Sequence, residues 1–480
     1  MNPTENKKPK VVIVGAGFGG LWAARTLAHQ PVDVVVIDRN NYHTFLALLY
    51  QVAAAELDAE DIAYPVRSVF WNIPNIDFVL AHARRIDLQN RIIETDDRPV
   101  AYDYLILATG SVTATFGVPG VAEHAYFLKT LEEAVALKNH IICCFEAAAH
   151  EADEVRRKSL LTFVIVGGGA TGVEYAGALA ELIAGPLVRD YPTIDFSDVR
   201  ILLLEAAGHL VSPMPGNIRD YTMEKLYRMG VDVRLKAAVA EVTPDMAVLK
   251  NGGIKSINQT ASPGRSRDLV PPSGDQVMET VPYEISRGSE SIRTHTVVWT
   301  AGVRGEELAA DSDMPIARDG RVAVRDTLQV TEHPNVYVIG DLASIRDDGR
   351  ILPMVAQVAI QSGVAAAKNI LADIAGKATE AFRYNDRGSM IAIGRKAAGV
   401  AIGEKTFRGF PAWVLWLIIH LFNLIGFRNR VMVLINWAWD YLLYERAVRY
   451  VFPSGPGEMA KMSSCAPAQS VKNEPAPRQP

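Results

Sequence analysis

KVVIVGAGFGGLWAARTLA, Lys10 to Ala28, is the stretch that decides the fold. It begins with a continuous apolar run, Val11 to Val14, passes Gly15, Gly17 and Gly20, and continues at helical spacing through Leu21, Ala24 and Leu27. That pattern is a strand, a tight turn and a helix. Each glycine has its own reason: Gly15 makes the turn, Gly17 lets the backbone approach a pyrophosphate, and Gly20 lets helix and strand pack closely. The helix N-terminus then faces negative charge. The following strand, VDVVVID, ends in Asp38, eighteen residues past Gly20, where a carboxylate can accept hydrogen bonds from ribose hydroxyls. The glycine pattern alone is a weak signal; with strand, helix and acidic end it is a strong one.

The unit recurs. SLLTFVIVGGGATGVEYAGALAEL contains an apolar strand, then Gly167, Gly169 and Gly172, then an alanine-rich helix, so two dinucleotides are expected. Its acidic partner is Glu205, which closes the strand VRILLLE beyond a crossover lengthened by a loop around 185–197. Ala206, Ala207 and Gly208 follow and offer no arginine for a 2′-phosphate. Glu205 would repel that phosphate, which favours NADH over NADPH. Three more apolar strands end in small-residue turns: YLILATG to Gly110, VVWTAG to Gly302 and VYVIGD to Asp341. Asp341 has two readings, a helix cap or a ligand contact.

Composition narrows the field. A chain of 480 residues is long enough for several domains, and a net charge of −5 argues against nucleic acid as a partner. Three cysteines, with Cys143 and Cys144 adjacent, give neither a disulfide framework nor a CxxC centre, and point to a reducing compartment. The ten histidines show no ligand spacing, so no metal site is expected. MNPTENKKPK lacks the apolar core of a signal peptide.

Two successive dinucleotide units, with NNYHTFLALLYQVA after the first, GGGATGVEYAGALAEL as the second and PMVAQVAIQSG late in the chain, resemble the type II NADH:quinone oxidoreductases. These are single-subunit NADH dehydrogenases that do not pump protons. The resemblance spans roughly 10–450 and implies an α/β fold. Two Rossmann-like domains would bind FAD and NADH, followed by a C-terminal membrane-associating helical region. It implies that Gly15, Gly17, Gly20 and Asp38 serve FAD, with Asp341 on its ribityl chain, and that Gly167, Gly169, Gly172 and Glu205 serve NADH; Gly110, Gly302 and Gln357 are further expected cofactor contacts. The implied domains are 9–125 and 311–400 for FAD and 126–310 for NADH, with a surface insertion at about 251–291. Anchoring helices at 401–453 and a disordered tail at 454–480 complete the division. One departure stands in FLALLYQVA, where Ala47 occupies a position that is commonly proline in the family.

Hydride passes from nicotinamide to flavin, so few side chains need to react. The resemblance implies that Glu174, two residues past Gly172, acts in NADH placement or proton handling; the plain alternative is a carboxylate favouring a helix N-terminus. Gln357 and Gln361, four apart, share a helix face starting at Pro353. Neutral amides can hydrogen-bond quinone carbonyls, although paired glutamines usually coat a solvated surface. The helix N-terminus near Pro353 can also point at the flavin pyrimidine, where reduction leaves negative charge. Cys143 and Cys144 lie in a helical stretch from Ala134 to Arg157 and read as structural, which disfavours a sulfide:quinone oxidoreductase.

AWVLWLIIHLFNLIGF, Ala412 to Phe427, is too short for a confident membrane span. On a helical wheel Trp413, Trp416, His420 and Asn423 share one sector, and Leu417, Ile418, Leu421, Phe422, Leu424 and Ile425 fall mostly on the other. An amphipathic helix lying in the interface with an aromatic border is expected. The next stretch, with Arg428, Arg430, Arg446 and Arg449 around Trp437, Trp439, Tyr441 and Tyr444, suits headgroups. A buried helix pair or a homodimer interface is the alternative. The expected enzyme sits peripherally on the cytoplasmic face of a membrane, or the equivalent organelle face, with NADH, a quinone and the bilayer surface as partners. A soluble NADH-dependent reductase of a ferredoxin-type or rubredoxin-type carrier, and a flavoprotein that signals to partners, are the competing classes.

Overall fold

The computed structural model describes residues 8–250, 254–256, 283–285, 289–309, 312, 314–443, 446 and 448–451. Most of the expected insertion at 251–291 and all of the tail at 454–480 lie outside them.

The chain forms two compact units. The first comprises the described parts of Met1–Thr44, Ala63–Ala114 and Val303–Arg387. Its sheet runs Gln329–Val330, His333–Val338, Tyr104–Leu107, Lys10–Val14, Asp33–Asp38, Ile76–Leu80, parallel except for the first strand. Val11, Val12 and Ile13 are wholly buried, as expected of a central strand covered on both faces. Helix Phe18–Thr26 follows the first strand, and helix Ala356–Ile374 crosses it where Gly363 meets Gly19. A methyl group on Gly363 would stand 2.3 Å from the Gly19 carbonyl oxygen, so this crossing requires a bare backbone. The late helix begins at Ala356, three residues beyond the Pro353 expected to start it.

The second unit comprises Phe45–Ile62, Thr115–Gly302 and Gly388–Pro480. Its main sheet runs Tyr126–Phe127, Thr296–Trp299, Thr162–Val166, Arg200–Glu205, Val231–Leu235, Ile254–Ser256, Tyr283–Ile285. The first five strands are parallel and the last two antiparallel, so the flanks of the expected insertion extend the sheet. Helix Leu131–His150 opens with a capping box between Thr130 and Glu133. It does not run on to Arg157: the chain breaks after His150, and Asp153 caps a separate helix, Glu154–Leu160. Cys143 and Cys144 are buried in the longer helix.

Segment 45–62, read from the sequence as part of the FAD domain, groups with the second unit. The reason is a set of hydrogen bonds from the C-terminal region: Trp437 Nε1 donates to Gln51 Oε1 at 2.9 Å, Asn429 to the carbonyls of Glu60 and Asp61, and Arg446 to that of Ala54. A three-stranded antiparallel sheet, Ser389–Gly394, Ala397–Ile402 and Lys405–Gly409, leads into helices Phe410–Asn423 and Phe427–Leu443. Among the described residues no helix is long and apolar enough to cross a membrane.

Candidate active site

The two fingerprints repeat one design. At Gly15 and Gly167 the backbone has φ of 105° and 110°, open to glycine, and an added methyl would strike Ala108 in one case and Ala301 in the other. At Gly20 and Gly172 it would lie within 2 Å of the Gly15 and Gly167 carbonyl oxygens. Gly17 and Gly169 differ: nothing lies within 4 Å of where a side chain would start. Glycine there leaves open space rather than relieving a clash, which is the cradle a pyrophosphate needs. Each following helix starts at that glycine, at Phe18 and Ala170.

The acids close the design. Asp38 Oδ2 accepts the Ala16 N–H at 2.6 Å and Oδ1 the Asn40 N–H at 2.8 Å. Burial raises its carboxyl above the usual range. Glu205 Oε2 accepts the Gly168 N–H and Oε1 the Ala207 N–H, both at 2.6 Å. Each carboxylate therefore ties the strand end to the second residue of its fingerprint.

In the first unit Asp341 is not a helix cap. It lies in the short turn Gly340–Leu342, and its Oδ2 accepts the Ser111 hydroxyl at 2.6 Å, one residue after Gly110. The Gly340 N–H donates to Ser362 on helix Ala356–Ile374, which ties that helix to the same turn. Gln357 and Gln361 both lie on this helix, as the spacing implies. The Gln361 amide donates to the Asn385 carbonyl at 2.9 Å and accepts the Asn385 N–H at 3.0 Å, so both of its polar atoms are engaged in fixing a loop. In the second unit Gly302 has φ of 80° and carries the Phe116 ring against its backbone.

Glu174 opens onto a cleft in the second unit lined also by Tyr50, Glu56, Arg395, Trp416 and Tyr441. Its Oε1 accepts the Ala392 N–H at 3.1 Å. Burial pushes its carboxyl up to about 8, against that hydrogen bond, so at neutral pH it is mostly protonated. Trp416 is only 1% exposed, and its indole N–H has no acceptor among the described residues. An indole donates and never accepts, so this cleft offers a buried donor to a carbonyl-bearing guest. Behind the cleft Arg446 is buried, with Nη2 2.5 Å from Glu56 and 3.5 Å from Glu181, and Nη1 donating to the Ala54 and Ala178 carbonyls. Burial raises the Glu56 carboxyl, and the Arg446 guanidinium pulls it back down.

Two expectations for the C-terminal helices are corrected by this geometry. Arg446 is no headgroup anchor, because three carboxylates and two carbonyls hold it inside, and Arg449 pairs with Asp190. Of the sector Trp413, Trp416, His420 and Asn423, the first three face the protein rather than bordering a bilayer, Trp413 and Trp416 being buried and His420 stacked on Trp416 at 4.1 Å, while Asn423 at the helix end is exposed. In the opposite sector Ile418 at 60% and Phe422 at 75% are exposed and Leu424 is buried; Phe427, Leu434, Ile435 and Trp439 add to the exposed apolar surface.

The family model described as pyridine nucleotide-disulphide oxidoreductase matches residues 9–363. Type II NADH:quinone oxidoreductase Ndh of Mycobacterium tuberculosis is 34% identical over 451 residues, covering 92% of this chain and 89% of that protein. The chain belongs to the type II NADH:quinone oxidoreductase family. The Staphylococcus aureus type II NADH:quinone oxidoreductase is 28% identical over 404 residues, covering 83% of this chain and 90% of that one. The solved structure of NDH2 from Plasmodium falciparum in complex with NADH shares the fold, with a TM-score of 0.79 at 18% identity over 93% of this chain and 100% of that one. As a member of the family the chain is a flavoenzyme that oxidises NADH, with FAD and NADH as its cofactors. The open cradles over Gly17 and Gly169 fit two such dinucleotides.

Sequence reading missed Trp416 as a donor, Tyr50 as a cleft wall, and the Glu56–Arg446 pair. A tryptophan in an apolar helix signals core or interface, and neither reading says that its N–H lacks an acceptor.

Proposed function

We propose that the enzyme passes electrons from NADH through FAD to a membrane quinone, without pumping protons, while docked on the cytoplasmic face of the membrane. FAD sits at Gly15, Gly17, Gly20 and Asp38, with Gly110 and Asp341 beside it. NADH sits at Gly167, Gly169, Gly172 and Glu205, with Gly302 at its turn. FAD, when bound, accepts hydride from the nicotinamide.

The observation that carries the quinone assignment is the buried Trp416 N–H in the cleft with Glu174. A quinone is apolar, so the Trp413 and Trp416 walls suit it, and its carbonyl supplies the acceptor the indole lacks. A protonated Glu174 can hold the proton that a reduced quinone oxygen takes up. On this reading Gln361 acts through the Asn385 loop rather than by touching quinone.

The same helix that carries Trp416 inward carries Ile418 and Phe422 outward. With Phe427, Leu434, Ile435 and Trp439 exposed on the next helix, this apolar face suits a bilayer interface. A second copy is the competing occupant, and the oligomeric state measured with and without phospholipid vesicles separates the two.

The test is NADH oxidation by purified, flavin-loaded protein with a short-chain quinone, beside NADPH and a small iron–sulfur carrier protein. Quinone reduction with NADH and little with NADPH is expected. Turnover with the carrier alone would replace the proposal by the soluble-reductase reading.

A further inference from the structure

The second residue of each fingerprint, Ala16 and Gly168, is held at both of its peptide groups. Its N–H is taken by the acidic strand end, Asp38 or Glu205. In the second unit its carbonyl receives a backbone donor, the Val211 N–H at 2.8 Å from Gly168 O. In the first unit the Ala16 carbonyl is instead met by a side chain, His43 Nδ1, at 3.0 Å. A titratable ring thus does in one fingerprint what a peptide N–H does in the other.

That substitution leaves an atom over. A carbonyl only accepts, so Nδ1 carries the hydrogen, and Nε2 of the neutral ring becomes an acceptor. His43 is 3% exposed, and Nε2 has no hydrogen-bond partner among the described residues. The ring stands edge-to-face with Phe18 at 5.0 Å, and Phe18 adjoins Gly17, where the cradle is open. Burial pushes the imidazole down to about 4, which keeps it neutral at working pH. A buried acceptor without a donor beside an open cradle calls for a ligand donor. Phosphate oxygens cannot supply one, and sugar or ribityl hydroxyls can.

We propose that His43 is a flavin-site residue with two roles, positioning the first fingerprint through the Ala16 carbonyl and accepting a hydroxyl of the bound dinucleotide at Nε2. The proposal rests on the reading that the first fingerprint holds FAD.

The test is titration of apoprotein with FAD, followed by flavin fluorescence, for wild type, His43→Asn and His43→Phe. Asparagine keeps a donor near the Nδ1 position and loses the Nε2 acceptor; phenylalanine keeps the ring and loses both. The expected dissociation constants rise about threefold for Asn and about tenfold or more for Phe, the scale of one and two hydrogen bonds. The FAD-induced rise in Tm shrinks in the same order, while NADH binding stays at its wild-type value. A Phe variant with wild-type FAD affinity overturns the proposal, as does a fall in apoprotein Tm that accounts for the whole loss. If the Phe variant does not fold, Asn decides, and wild-type affinity there removes the acceptor role. Wild-type protein that takes up no FAD would instead sink the reading of the first fingerprint.

Discussion

Replacing Glu174 by glutamine keeps the shape and the acceptor for the Ala392 N–H while removing the ability to ionise. In the folded protein burial holds this carboxyl at about 8, against 4.5 for the free side chain. Between those values the folded state keeps a proton that the unfolded chain has released. Stability contributed at this site therefore falls as pH rises through the window. The cost is absent below the lower value and complete above the upper one. At about 1.4 kcal/mol per tenfold in proton affinity the ceiling is about 5 kcal/mol, and the edge open to the cleft screens the charge and reduces it to about 2 kcal/mol. Wild type and Glu174→Gln should then unfold alike near pH 5, and the variant should become the more stable of the two by pH 9. Differential scanning calorimetry of both proteins across that range reads the difference. A Tm difference that stays constant with pH would refute the raised carboxyl and the proton-holding role built on it.

Other perturbations test other parts. Glu205→Ala removes the acceptor from two N–H groups at 2.6 Å, so KM for NADH should rise about tenfold or more while the preference over NADPH narrows and flavin content is unchanged. Arg446→Met strands Glu56 and its neighbours in a buried site, at a cost of about 3–5 kcal/mol read as a fall in Tm; a negligible change would contradict the ion cluster. Ile418→Asp with Phe422→Asp puts two charges on the exposed face, and co-sedimentation with anionic phospholipid vesicles should be lost while NADH oxidation with a water-soluble quinone persists.

What could be read from the sequence was local. The roles of Gly15, Gly17 and Gly20 follow from a turn whose contacts lie within a strand and a helix, and the open space over Gly17 agrees with that reading. Glu205 could be placed at the end of its strand because a strand end is a fixed place. Gln361 was not understood, because its partner is a backbone 24 residues away, and side-chain spacing carries no record of that. Arg446 looked like an anchor because it follows an aromatic helix; its partners Glu56 and Glu181 are 390 and 265 residues distant. The wheel of residues 412–427 separated two sectors except near its end, where Asn423 is exposed and Leu424 is buried, and periodicity cannot say which sector faces protein. The tryptophans went inward because the sheet at 397–402 and segment 45–62 offer them a core.

The most direct test of the account is Trp416→Phe, which keeps the ring and removes the N–H. The account predicts that kcat/KM for a short-chain quinone falls about three- to tenfold, the worth of one buried hydrogen bond, with the rate of flavin reduction by NADH unchanged in stopped flow. Unchanged kcat/KM for quinone would contradict the placement of quinone in the Glu174 cleft.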